Sequence, residues 1–237
     1  MQIPIHVVLV KSHYSRNVGS VSRVMANMGA NRLILVAPEC EIDLQARQGA
    51  AGAQTHLLEH TLYKTWDDFY KSEPAGVFVA FCARGKKDLD PLPLEERVQH
   101  IQNDSSAKGL PLYFVFGPED HGLENEDLEY AHYICTLPTF GSFKSYNLSH
   151  AALLSLYIAK SNLKDEHFTP RASEESFYFP DENIQSWLTE LGFTIGERRT
   201  DAYKVIKRIL LRNLSSPKEL RILEAVVQQT IRKLRGG

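Results

Sequence analysis

LYFVFGPEDHGLENEDL (Leu112–Leu128), then YICTLP (Tyr133–Pro138), then SFKSYNLSHAALL (Ser142–Leu154): these three pieces decide how the chain is read. Leu112–Phe116 is an unbroken apolar run, the pattern of a strand covered on both faces. Gly117-Pro118 breaks it into a polar turn, Glu119-Asp120-His121-Gly122, and a helical pattern follows. A second apolar strand, Ile134–Leu137, stops at Pro138, and a Gly/Ser loop opens into a helix predicted over Asn147–Leu163. Two strand ends thus deliver polar, glycine-bearing turns next to helix N-termini. In α/β sheets ligands bind in the crevice outside the carboxyl ends of the strands.

Upstream of that stretch the same alternation runs back to the N-terminus. Ile3–Val10 reads as an alternating strand, and the polar segment Lys11–Arg16 ends it. A helix is expected from Asn17, with Val21, Val24, Met25 and Met28 at 3.6-residue spacing and Gly29 as C-cap. Arg23 falls off that apolar stripe, near the helix start and so near the strand-end crevice. Arg32–Ala37 is a further strand, and Asp43–Gly52 an alanine- and glycine-rich helix. Gly76–Ala83 is a buried strand that ends in the basic turn Arg84-Gly85-Lys86-Lys87. Such a turn suits a phosphate contact, and equally a solvated loop. Pro91–Ile101 has a helical pattern. Strands alternating with helices predict an α/β domain with a mainly parallel sheet over residues 1–163.

Residues 164–180 are polar, hold two prolines and a Ser/Glu cluster, and read as a linker. Residues 181–237 carry three helical patterns. The first has Ile184, Trp187, Leu188 and Leu191 on one stripe, with Gly192 as its stop. The second turns Tyr203, Ile206 and Leu210 inward and sets Lys204, Lys207, Arg208 and Arg212 on its other face. The third opens with a capping box, Ser216 and Glu219 around Pro217, and buries Leu220, Leu223, Val227, Ile231 and Leu234.

Composition bounds the function. At 237 residues and 43% hydrophobic the chain can bury a real core. The formal net charge of −2 gives no global sign of nucleic-acid binding, but charge is unevenly spread. Residues 1–163 hold 14 Lys/Arg against 18 Asp/Glu, and residues 181–237 hold 11 against 7, so only the C-terminal quarter is basic. Met1 leads straight into the first strand, with no leader pattern, and no apolar run is long enough to span a bilayer. Cys40, Cys82 and Cys135 are far apart and form no CxxC pair, which points to a reducing cytoplasm.

The glycine-bearing turns lack the spacing of the GxGxxG and GxxxxGK[ST] phosphate motifs. Glu119, Asp120 and His121 are adjacent, and adjacent residues rarely converge on one ion, so no metal is expected. Ser145 and His150 are five apart across a helix start and would diverge, and no G-x-S-x-G elbow surrounds the serine.

Three segments carry a family resemblance instead. NVGSVSRVMANMG at the first helix, FGPEDHGLENEDL in the central turn and SYNLSHAALL before the last helix occur in this order and spacing. Together they resemble the three motifs of the SpoU–TrmD (SPOUT) RNA methyltransferases, within the SpoU branch, over about 160 residues. The tail, YKVIKRILLRNLSSPKELRILEAVVQQTIRK, is similar to the C-terminal extension of the TrmJ-type subgroup. Those enzymes transfer a methyl group from S-adenosylmethionine to a ribose 2′-hydroxyl at position 32 of the tRNA anticodon loop.

The resemblance implies an α/β sheet whose C-terminal part is tied in a trefoil knot, an exception to the usual unknotted topology. It implies S-adenosylmethionine held by three loops: Phe81-Cys82-Ala83; Gly117 to Gly122 with Glu119; and Ile134, Thr136 and Pro138 with Ser145, Asn147 and Leu148. It also implies a homodimer through the knot region, in which the partner's Arg23 reaches each cofactor, with tRNA as the partner molecule and no metal. Asn17 would shape the corner where Arg23 works, Glu119 would orient the loop, and Ser145 would hydrogen-bond substrate or cofactor. An arginine with a pKa above about 12 is a poor base. Arg23 therefore fits better as a stabiliser of the forming alkoxide and a clamp on the neighbouring phosphate. Arg84, Lys204, Lys207, Arg208 and Arg212 would meet RNA.

Two positions depart from the family pattern. Pro118 stands where arginine is usual, and Tyr146 where leucine is usual. Both put the nucleotide specificity in question. Two other readings stay open on the sequence: a SpoU-type enzyme for another tRNA site or ribosomal RNA, and an RNA-binding protein with little or no transfer activity.

Overall fold

The computed structural model describes residues 3–83, 91–163, 179–195, 201–212 and 217–235. Seven strands form one sheet in the order β3-β2-β1-β6-β4-β7-β5, and every pairing in it is parallel. The strands are β1 (Ile5–Val10), β2 (Leu33–Val36), β3 (Thr61–Tyr63), β4 (Val77–Phe81), β5 (Leu92–Pro93), β6 (Leu112–Phe116) and β7 (Tyr133–Thr136). The helices of the sheet domain are α1 (Ser15–Met28), α2 (Leu44–Ala50), α3 (Thr55–Leu58), α4 (Trp66–Ser72), α5 (Leu94–Asn103), α6 (Asn125–Leu128) and α7 (Leu148–Asn162).

Side chains alternate across each strand, so the sheet feeds two cores. Ile5, Val7, Leu9, Leu112, Phe114 and Phe116 pack with α1, α2, α5 and α7 on one face. Val8, Val10, Tyr113, Val115 and Ile134 pack with Phe69 of α4 and Leu128 of α6 on the other. Helices on both faces explain why all six residues of β1 are buried, where an alternating exposure is expected from the sequence. Helix α1 begins two residues before the expected Asn17, and Gly29 ends it with φ +63°, donating to the Met25 carbonyl. The edge strand β3 and helix α4 have no counterpart in the sequence reading.

The amino ends of the strands are held by an ion pair whose carboxylate is buried and whose guanidinium is partly exposed. Arg32 donates to both oxygens of Glu73 (2.6 and 2.8 Å), and the hydroxyls of Tyr63 and Tyr113 donate to the same carboxylate. Burial pushes the Glu73 carboxyl up, but these donors together outweigh it and hold it below the usual range. His6 lies beside the pair, its ring 5.1 Å from that of Tyr113. Burial first, and Arg32 second, push its imidazole from 6.5 down to about 4. The unfolded chain therefore takes up a proton that the folded chain refuses. Stability should fall as pH drops from 6.5 towards about 4, by about 3 kcal/mol. Urea midpoints at pH 7 and 4.5 check this, and His6→Gln should flatten the loss. The depressed carboxyl of Glu73 has the same sign, but its stability is lost only at lower pH.

The tail holds α8 (Asp181–Glu190), α9 (Ala202–Arg212) and α10 (Pro217–Arg235). Ile184, Leu188, Leu211, Leu220, Val227 and Ile231 are its buried side chains, while Leu191 and Leu234 of the expected stripes are exposed. Gly192 has φ +84° after α8, as a helix stop requires. Lys207 does not lie on a solvated face. Its Nζ sits 5.5–5.8 Å from the ring centres of Tyr130, Phe179 and Tyr203 and 3.6 Å from Asp181 Oδ1. Lys204 and Arg208 are half-buried and face Glu129 electrostatically. Arg84, the Arg212 side chain, Ser216 of the expected capping box, and most of the expected linker lie outside the described residues.

Candidate active site

Strand β1 leads away to β2 and β3 on one side of the sheet, and the chain later builds β4, β7 and β5 on the other. Strands β1 and β6 meet where the order reverses, so their carboxyl ends open the crevice that such sheets use for ligands. The turn after β1 carries His13, the first turn of α1 carries Asn17, and the turn after β6 carries Glu119.

These residues are tied together. Asn17 Nδ2 donates to Glu119 Oε1 at 2.8 Å, and the His13 backbone N–H donates to Glu119 Oε2 at 3.1 Å. Asn147 Nδ2 donates to Asn17 Oδ1 at 3.2 Å. The Asn147 side-chain oxygen Oδ1 caps α7, accepting from the Ser149 N–H (3.0 Å) and hydroxyl (2.8 Å). Asn17, Glu119 and Asn147 come from the three separate motif segments, and here they form one polar brace. Its orientation is over-determined: each Asn uses its donor and its acceptor ends on different partners.

Beside the brace lies a cavity of about 680 Å³. Phe81, Phe116, Leu137 and Leu148 make its apolar wall, with the rings of Phe81 and Phe116 stacked 4.7 Å apart. The turn Gly117–Gly122 makes the polar side. Gly117 is close-packed: a Cβ there would stand 2.2 Å from the Leu123 nitrogen. Gly122 has φ +70° and open space around it, so it is needed for its backbone conformation rather than for clearance within the protein. Pro118 begins the turn, and its carbonyl accepts from the Gly122 N–H at 3.0 Å.

Charge gathers at the mouth. His121 Nδ1 lies 2.6 Å from Asp120 Oδ1, and the His13 ring stands between Asp120 (3.7 Å) and Glu39 (3.3 Å). Desolvation opposes ionisation of Asp120, but a backbone N–H and the two imidazoles hold its carboxyl below the usual range. A hydrogen bond to Glu124 raises the Lys11 ammonium. Among the described residues no group of three His, Cys, Asp or Glu side chains could hold a metal ion. No helix among them is long and apolar enough to cross a membrane.

Of the expected cofactor residues, Phe81, Cys82, Ala83, Gly117, Glu119, Gly122, Ser145 and Leu148 line the cavity. Ile134, Thr136, Pro138 and Asn147 do not. Ile134 joins the core on the far face of the sheet, and Asn147 belongs to the brace. The expectation took the even residues of that segment, whereas Leu137 and Thr139 share the cavity side with Cys135. The period of two was the available signal. Asp120 and His121, within the expected Gly117–Gly122 loop, also line the cavity, as do Phe116 and Lys144, which were not expected there. Arg23 is exposed and lies outside it. Six residues beyond Asn17 on α1, it stands about 9 Å along the helix and on another side.

The lining suits a nucleoside-like ligand, with apolar and aromatic side chains on one wall and a glycine-bearing backbone turn on the other. Comparison with known proteins agrees. A tRNA (cytidine/uridine-2′-O-)-methyltransferase TrmJ of Pectobacterium atrosepticum is 28% identical over 231 residues, 94% of this chain and 95% of that one. A tRNA (cytidine-2′-O-)-methyltransferase TrmJ of Methanocaldococcus jannaschii is 32% identical over 159 residues, covering 66% and 67%. The crystal structure of TrmJ from Z. mobilis ZM4 superposes with a TM-score of 0.73 at 26% identity, covering 98% of this chain and 99% of that one. The model of the SpoU rRNA methylase family matches residues 4–157. That span runs from β1 into α7 and takes in the whole Asn17–Glu119–Asn147 brace: this chain is a member of the SpoU methylase family.

Proposed function

We propose that the protein transfers the methyl group of S-adenosylmethionine to a ribose 2′-hydroxyl of tRNA, at a cytidine or uridine in position 32 of the anticodon loop. The brace is the observation that carries this reading, because it draws the three motif segments together at the rim of a cavity of fitting size. The curated TrmJ relative that matches 94% of the chain spans the tail as well as the sheet domain, which favours tRNA over ribosomal RNA.

S-adenosylmethionine supplies an electrophilic methyl on a sulfonium. The protein's part is placement. Phe81, Phe116 and Leu148 enclose the adenine, the Gly117–Gly122 turn meets its polar edges with backbone groups, and Glu119 keeps Asn17 and the turn in register. Holding the ribose oxygen in line with the methyl supplies much of the acceleration. As the hydroxyl gives up its proton to water, Arg23 would stabilise the negative charge growing on the oxygen.

Arg23 stands outside its own cavity, which supports a reading in which it serves a second copy. The exposed Leu153 and Tyr157, one turn apart on α7, offer an apolar face for that copy. The C-terminal part of the sheet domain is read, on the family resemblance, as the family's trefoil knot. Residues 1–163 act as the catalytic unit, and 181–237 as an extension in which Lys207 fastens α9 while Lys204 and Arg208 serve phosphate contact.

The test uses mixed dimers. Arg23→Ala and Gly122→Val should each be inactive with tRNA and tritiated methyl donor. Co-folded together, they should recover activity, because one site pairs an intact arginine with an intact turn. Silent mixtures after verified exchange would place Arg23 in its own chain's site. Mapping 2′-O-methyl groups on tRNA from cells with and without the gene checks position 32, and an unchanged map would refute it.

A further inference from the structure

The loop between β7 and α7 holds two phenylalanines out in solvent: Phe140 is fully exposed and Phe143 is 80% exposed. Their position gives this meaning. Thr139 before them and Lys144, Ser145 and Tyr146 after them line the cavity, so the loop that carries the rings borders it. The loop is not a loose end. The Tyr146 hydroxyl donates to the Pro138 carbonyl at 2.6 Å and closes its neck, a bond the family's usual leucine could not make. Lys144 sets a cation directly after Phe143.

Two presented rings and one ammonium on a loop that borders a cavity match the chemistry of an unpaired nucleotide. Each base offers a flat face for stacking, and each phosphate a negative charge. A base within a duplex offers neither face. A purely apolar partner would leave Lys144 without a counter-charge.

We propose that Phe140 and Phe143 form a stacking platform for the bases flanking the methylated nucleotide, with Lys144 meeting the adjoining phosphate. The platform makes an unpaired loop the substrate class. It rests on the RNA-methylating reading above.

Phe143→Trp in the full chain provides a reporter against a background of two native tryptophans. An anticodon stem-loop RNA should quench the introduced indole, and a blunt duplex of equal length should not. Phe140→Ala/Phe143→Ala should weaken stem-loop binding on the order of 100-fold, about 10-fold per ring. Calorimetric binding of S-adenosylmethionine by that variant shows that the site is folded. RNA affinity within twofold of the wild type would overturn the platform. So would sedimentation showing that the double variant loses its dimer, since the rings would then cover a second copy. A wild-type chain that transfers no methyl group to any RNA would bring down the functional reading itself, whereas normal transfer with an unquenched indole defeats the platform alone.

Discussion

Asn17→Asp should lower the rate of methyl transfer by roughly 10²–10³-fold, the cost of removing one preorganised donor from a reaction site. The geometry argues for the upper end. Asn17 donates to Glu119 at 2.8 Å, so the substitution places two carboxylates face to face at hydrogen-bond distance. It also leaves the donor of Asn147 facing a different acceptor, 3.2 Å away. Two carboxylates that close share one proton rather than both ionising. Activity of the variant should therefore recover in part as pH is lowered and vanish as it is raised. Asn17→Ala should lack that acid recovery, since it holds only Glu119. Single-turnover transfer of a tritiated methyl group across pH checks both. An Asp variant as active as the wild type at neutral pH would show that the brace is not part of the working site.

Gly19→Ala should have the largest effect on stability. A Cβ at Gly19 would stand 1.8 Å from the Ala46 carbonyl oxygen and 2.7 Å from its carbon. Both are backbone atoms of α2, so no side chain can swing aside. On the return contact, a Cβ at Gly49 would stand 2.4 Å from the Arg16 oxygen. Helices α1 and α2 therefore touch through glycine on both sides, and adding one methyl must push them apart. Overpacking usually costs about 1–3 kcal/mol, and a backbone clash belongs at or above the top of that range. Thermal unfolding should show a large drop in midpoint or a chain that no longer folds. Gly52→Ala, which meets nothing within 4 Å, should leave the midpoint unchanged. A Gly19→Ala protein with wild-type stability would mean that the two helices are not packed as described.

What could be read ahead of the structure depended on the range of each signal. Leu112–Phe116 is five apolar residues bounded by Pro111 and Gly117, and it is a strand over those residues. Gly29 and Asn147 are local caps and fall where their chemistry places them. Strand β3 is three half-exposed or exposed residues at an edge, and α4 buries only Phe69, so neither leaves a periodic trace. The brace is of another kind. Asn17, Glu119 and Asn147 stood in the motifs as separate residues, but their mutual bonds are tertiary facts. Lys207 shows the same limit: helical spacing puts it on a basic face, and only the seating of α9 against Tyr130 turns that face inward.

The parallel pairing of β1 with β6 also has a cost during synthesis. IHVVLV leaves the ribosome well before its central partner LYFVF, which follows more than a hundred residues later. At a translation rate of roughly 5–20 residues per second, that interval lasts several seconds. Through it, six consecutive residues that the finished protein buries completely have β2 alone as a neighbour on the sheet. The nascent first strand is thus a sticky segment awaiting a distant mate, and the protein's yield in the cell should depend on chaperone capacity more than the stability of the finished fold would indicate.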